Sequence, residues 1–268
     1  MASAPGDRFE IAINTPAGRV TTAVDVPTTF VPVTAIVPLL RRLGEEAQAL
    51  EEARLAAEGE SRSCTKGCAA CCHMLVPLSP PEAYALVDFI RSWPAEKLER
   101  LASRFSQTKS ALVSQGLWQR LMDLGESSVP PDDETLDPIN RDFYALRLAC
   151  PFLEEEMCSI YDERPAACRE LLVTSPMERC QDMVQNEISP IPAPVRVSPV
   201  LGLLWGELTS SPPRLIPLPI VLDWVERNCR ENEKTWRGSD LLDSALDKIW
   251  RYLSKTAPRL DDPSERNR

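Results

Sequence analysis

Eight of the nine cysteines in this chain fall into two groups of four. The first group is Cys64, Cys68, Cys71 and Cys72, spaced C-x3-C-x2-C-C, with the only histidine, His73, directly behind it. The second is Cys150, Cys158, Cys168 and Cys180, spread over a longer stretch. Eight thiols need disulfide partners, a metal, or burial as small hydrophobes. Compartment decides among these. Met1 to Glu10 has neither a basic region nor an apolar run, so a cleaved secretory signal is not expected. The longest apolar stretch, Phe30 to Leu40, is too short to cross a bilayer and contains Pro32 and Pro38. We therefore expect a cytoplasmic protein with no membrane contact. Thiols stay reduced there, so the clusters read as metal ligands ahead of disulfides. A disulfide-stapled interaction module ranks below that reading for the same reason.

Thiolates on a short loop converge on one ion with little loss of loop entropy. Four of them suit tetrahedral zinc or an iron–sulfur cluster. Gly67 allows the backbone to fold tightly around such an ion. Adjacent residues of extended chain point to opposite sides, so Cys71 and Cys72 can serve two centres; the bland alternative is that one of them packs as core. Eight thiolates around two zinc ions leave a net charge of about −4, which calls for nearby donors or cations. Lys66, Arg164 and Arg169 are close enough in sequence to supply them. His73 is a candidate ligand, supporting group or base, with a simple structural role the first expectation. Cys229 stands apart, and we expect a free, packed thiol.

Other chemistries find little support. The triplet Cys64-x3-Cys68-x2-Cys71 has the spacing of radical S-adenosylmethionine enzymes. Ala70 stands where an aromatic usually precedes the third cysteine, and no alternation of strands and helices follows. There is no phosphate-binding glycine loop, no G-x-S-x-G, and no histidine pair for a zinc hydrolase. The 40 acidic residues outnumber the 30 basic ones, giving a net charge of −10 and no dense Lys/Arg run, so nucleic acid is not an expected partner.

The pattern along the chain predicts a mainly α protein with short β segments and a small N-terminal β-hairpin. Its cysteine-rich, metal-binding core is irregular and packs on helices. Residues 1–60 should form the hairpin, over 8–30, and a helix from Pro38 to about Gly59 that turns Glu45, Glu46, Glu51, Glu52 and Glu58 outward. Residues 61–188 should form the cysteine-cluster domain. Within it, a short strand is expected over His73 to Leu78, and Ser79-Pro80-Pro81-Glu82 starts a helix through a capping box. A second helix should run from Pro94 to Gly125, followed by a solvated acidic loop over 126–138. Further helices are expected over 139–148, 162–172 and 176–188, with two short strands around Glu154–Glu156. Residues 189–268 should form a proline-rich extended segment and C-terminal helices packed on the core; the prolines of 190–219 should keep that stretch extended against the body, interrupted by a helix near Ser198 to Trp205. Amphipathic helices over 220–229 and 240–253 should cover the core, and the tail from Thr256 should be disordered.

Beyond spacing, two blocks resemble the YkgJ-type cysteine-cluster proteins. The first is the C-x3-C-x2-C-C run at Cys64, Cys68, Cys71 and Cys72. The second comprises Cys150-Pro151-Phe152-Leu153, Cys158-Ser159-Ile160-Tyr161 and Arg164-Pro165-Ala166-Ala167-Cys168-Arg169. Cys180 looks like that family's eighth cysteine. The resemblance covers residues 64 to about 180 and implies a zinc- or iron-chelating site, or the iron–sulfur oxidoreductase with which the family is often labelled. Flagellin lysine N-methylases look like distant carriers of a similar cluster, so a methyltransferase-like role is an analogy of the weaker kind.

Overall fold

The computed structural model describes residues 6–183 and 185–256. It is mainly α with short antiparallel strand pairs. Strands β1 (Gly6–Thr15) and β2 (Gly18–Pro27) form the N-terminal hairpin, turning at Gly18, whose φ is +146°. Alternation decides its packing: Ile11, Ile13, Val20, Val24 and Val26 are buried, while their neighbours mostly face out. Strand β3 (Phe30–Pro32) follows, and then helix α1 (Val37–Ala57), with Pro38 in its first turn. Val37, Leu40, Leu43 and Ala47 form its buried stripe. Glu51 lies on the buried side too, only 3% exposed, rather than on the outer acidic face. There it is paired with Arg54 at 3.0 Å.

Helix α2 (Pro80–Arg91) is the central element. Its start is the predicted capping box, with Ser79 N–H donating to Glu82 Oε2 at 3.1 Å. Pro80 and Pro81 fall where helix amides have no partner anyway. Tyr84 of this helix packs against Trp205 and Trp224, with ring centroids 5.7 and 5.4 Å away. Those two rings come from α7 (Val197–Thr209) and α8 (Val221–Arg227). One apolar core runs continuously from Ile11 on the hairpin to Ile249 on α9 (Gly238–Thr256). The predicted tail beyond Thr256 lies outside the described residues.

Several expectations shift. The single helix from Pro94 to Gly125 is two, α3 (Ala95–Ser114) and α4 (Leu117–Glu126). They break at Gly116, whose φ of +67° an L side chain resists. The acidic loop is partly helical: Asp132 accepts from Thr135 N–H and caps α5 (Asp133–Ala145). The expected strand after His73 shrinks to β4 (Pro77–Leu78), which pairs with β7 (Ile216–Pro217). The two short strands around the acidic turn are present as β5 (Leu153–Glu154) and β6 (Met157–Cys158). The predicted helix over 162–172 contracts to α6 (Ala166–Glu170), and that over 176–188 to a 3-10 turn, Met177–Asp182. Prolines 165 and 176 stand just before these two pieces and limit their start.

Candidate metal centre

The first cysteine group lies in a loop that ends in a 3-10 turn, Ala70–His73. Gly67, at φ +96°, makes the bend the sequence required. Two ties bring the second group to it. Cys150 N–H donates to Cys72 O at 2.7 Å. Ser63 clamps the loop entrance onto the segment after α6, its N–H donating to Val173 O at 3.0 Å and its hydroxyl to Ser175 O at 2.5 Å. The Ala70–His73 turn also packs directly on the Met177–Asp182 turn that carries Cys180.

Cys168 is placed by a buried carboxylate. Glu82 is fully buried, and its Oε1 accepts from Ala166 N–H at 2.8 Å, at the start of α6. Arg41 of α1, 7% exposed, supplies a positive charge there; burial lowers its pKa and Glu82 opposes that fall. Helices α1 and α2 thereby hold the second cysteine block in place. Nothing in the spacing of Glu82 marked this second role, because its capping-box duty already accounted for it.

The thiols share one electrostatic environment. Burial is the first cause raising Cys64, Cys158, Cys168 and Cys180, and it pushes Cys150 up to about 12. Neighbouring thiolates add to each rise. Cys71 moves the other way, because the Cys72 thiol donates to it, and Cys72 is raised in consequence. The pattern of mutual influence sorts the groups. Cys180 feels Cys64, Cys71 and Cys68. Cys72 feels Cys71, Cys150 and Cys158. Cys168 feels Cys150, Cys71 and Cys158. Cys71 therefore stands at the junction of both sets.

Arg164 lowers Cys71, Cys158 and Cys168, as a compensating cation should. Its guanidinium lies 3.8 Å from the Tyr161 ring centroid, and Lys66 Nζ lies 5.2 Å from the same centroid. Tyr161 thus holds two cations beside the cysteines, more than the packing role expected of it. Arg169 is spent elsewhere: it donates to Glu45, Asp162 O and Arg164 O. Arg62, not singled out by the sequence, contributes to Cys64. His73 Nδ1 lies 3.2 Å from Arg147 O, which ties the ring to the backbone in a structural role. Cys229 is exposed rather than packed, because it falls in a 3-10 turn after α8.

A cavity of about 330 Å³ is lined by Cys64, Cys68, Cys71 and Cys168 and flanked by Arg62 and Arg164. All nine cysteines are free. Among the described residues, no three His, Cys, Asp or Glu side chains are gathered tightly enough to enclose an ion. Zinc–sulfur bonds are about 2.3 Å, so metal binding requires these loops to draw inward. The donor chemistry fits: all-sulfur sets with adjacent cations suit zinc, iron or an iron–sulfur cluster.

Fold and cysteine placement together give a thiol-rich segment on a helical body. Residues 63–187 match the model of the CxxCxxCC family, described as "Putative zinc- or iron-chelating domain". No curated protein and no solved structure matches the chain. Among the described residues, no helix is long and apolar enough to cross a membrane.

Proposed function

We propose that the eight cysteines of the two blocks chelate zinc or iron as two neighbouring four-thiolate sets. Cys64, Cys68, Cys71 and Cys180 make one set; Cys72, Cys150, Cys158 and Cys168 make the other. The observation that carries this reading is which thiols lie near enough to act on one another: Cys180 is raised by Cys64, Cys68 and Cys71, Cys72 by Cys71, Cys150 and Cys158, and Cys71 raises thiols of both blocks. A bound ion would stabilise the irregular core, because metal binding at such sites contributes directly to folding. Arg164 and Lys66, held over the Tyr161 ring, would offset the excess negative charge. The reducing cytoplasm is the compartment we assign, since all eight thiols must stay reduced.

A second reading, an iron–sulfur cluster serving an oxidoreductase or methyltransferase-like enzyme, is favoured by one feature. An apolar cavity also opens onto Cys71 and Cys168, as substrate chemistry at a cluster requires. Anaerobic purification with metal analysis and an absorption spectrum separates the two. Colourless protein with two zinc ions per chain supports closed chelating sites. Brown, air-sensitive protein supports the cluster. Protein that carries neither metal under both conditions overturns both.

A further inference from the structure

The apolar cavity has a volume of about 490 Å³ and shares Cys71, Cys168 and Leu171 with the charged one. One wall is the chain that leaves the cysteine run, Met74 to Pro77. Another is the proline-rich segment from Pro190 to Ala193, held in place by Ile191 N–H donating to Leu172 O at 2.7 Å. Pro77, Pro190 and Pro192 have no amide hydrogen, so these walls are poor in donors. Polar recognition is left to Glu170 and Arg196. The Glu170 side chain is only 10% exposed, whereas Arg196 sits at the rim, 57% exposed. Glu170 Oε1 accepts from Val197 N–H at 2.7 Å. Its Oε2 lies 3.7 Å from Arg196 Nε, beyond hydrogen-bond length, and burial raises the carboxyl's pKa to about 7, so above neutral pH it is an acceptor in the cavity wall.

We propose that this cavity binds a small, mainly apolar molecule with one terminal hydrogen-bond donor, an alkyl amine or alcohol, and brings it against Cys71 and Cys168. Its volume lies in the range of ligand pockets, and an apolar wall with one deep acceptor is the usual way such pockets fix orientation. The pocket is built from the chain's own side chains; its role as a substrate site rests on the iron–sulfur reading above.

The test is calorimetric titration at about pH 8.5, where Glu170 is ionised, of full-length, metal-loaded protein with hexylamine, hexan-1-ol and hexanoate, with metal content measured on the same samples. The amine and alcohol are expected to bind, and hexanoate about tenfold more weakly or worse, since it offers Glu170 no donor. Glu170→Gln, whose amide can also donate, should narrow that gap to about threefold. Ala193→Phe should fill the cavity and remove binding of all three without changing metal content or melting temperature. Hexanoate binding as tightly as hexylamine would put Arg196 in command and overturn the proposal. So would unchanged binding in the Ala193→Phe protein, or no binding by any probe to protein that retains its metal. Loss of metal alone counts against the metal reading, not against the pocket.

Discussion

Replacing Glu82 with alanine will destabilise the protein and empty its metal centre together. The carboxylate is fully buried and accepts three hydrogen bonds, from Ser79 N–H at 3.1 Å, Ser79 Oγ at 2.9 Å and Ala166 N–H at 2.8 Å. It also offsets the charge of Arg41, whose Nε and Nη2 are buried without a hydrogen-bond partner. Hydrogen bonds to a charged group contribute about 1.5–3 kcal/mol each, and not additively. Arg41 keeps its ion pair with Glu163 at 3.1 Å, so the cost comes mainly from the three lost hydrogen bonds. Because these contributions overlap, we expect a total of about 4 kcal/mol. For a chain of this size that lowers the melting temperature by roughly 8–16 °C. Scanning calorimetry on metal-loaded protein measures the shift, and emission spectrometry the metal. Glu82→Gln keeps an acceptor for Ala166 and should cost about half as much. A Glu82→Ala protein within about 1 kcal/mol of wild type, with full metal content, would refute the claim that Glu82 anchors Cys168.

Cys68→Ser and Cys158→Ser should each remove one of two bound ions and lower the melting temperature, while Cys229→Ser changes neither; metal-to-protein ratios decide. Metal affinity should rise with pH across the neutral range. Burial raises Cys64, Cys150, Cys158, Cys168 and Cys180, so protons must leave as the ion enters, about tenfold in affinity per pH unit for each proton released. Chelator competition at several pH values checks this, and a flat profile would contradict it. Arg164→Met should weaken metal binding by about tenfold through the lost cation, with the fold retained by circular dichroism. Gly238→Ala places a methyl carbon 2.2 Å from Pro27 O, so the hairpin must shift against α9; we expect a loss of about 1–3 kcal/mol in urea denaturation.

How far the sequence carried depended on the range of the interaction. Period-two alternation around Asn14 to Gly18 was enough for the hairpin, and the Ser79–Glu82 capping box for the start of α2, because both are local. Helix ends were less legible. The break at Gly116 and the early start of α5 at Asp132 rest on a left-handed glycine and a side-chain cap, signals that hydrophobic spacing does not carry. The exposure of Cys229 and the burial of Glu51 likewise reflect which face meets a neighbour, something hydrophobic spacing indicates only on average.

The cysteine spacing by itself determined that this chain carries two thiol blocks suited to a soft metal, since side-chain chemistry and short loops are properties of local sequence. It also marked Cys71 and Cys72 as the place where two centres could meet. Only the tertiary structure decided which thiols are neighbours, because residues far apart in the chain approach through packing. The Cys72–Cys150 backbone bond joins the blocks, the Cys180 turn packs on the first of them, and Glu82 and Arg41 hold α6 beneath Cys168. The apolar cavity beside Cys71 and Cys168 belongs to the same class: its walls come from segments more than a hundred residues apart, and no local pattern in either one announces it.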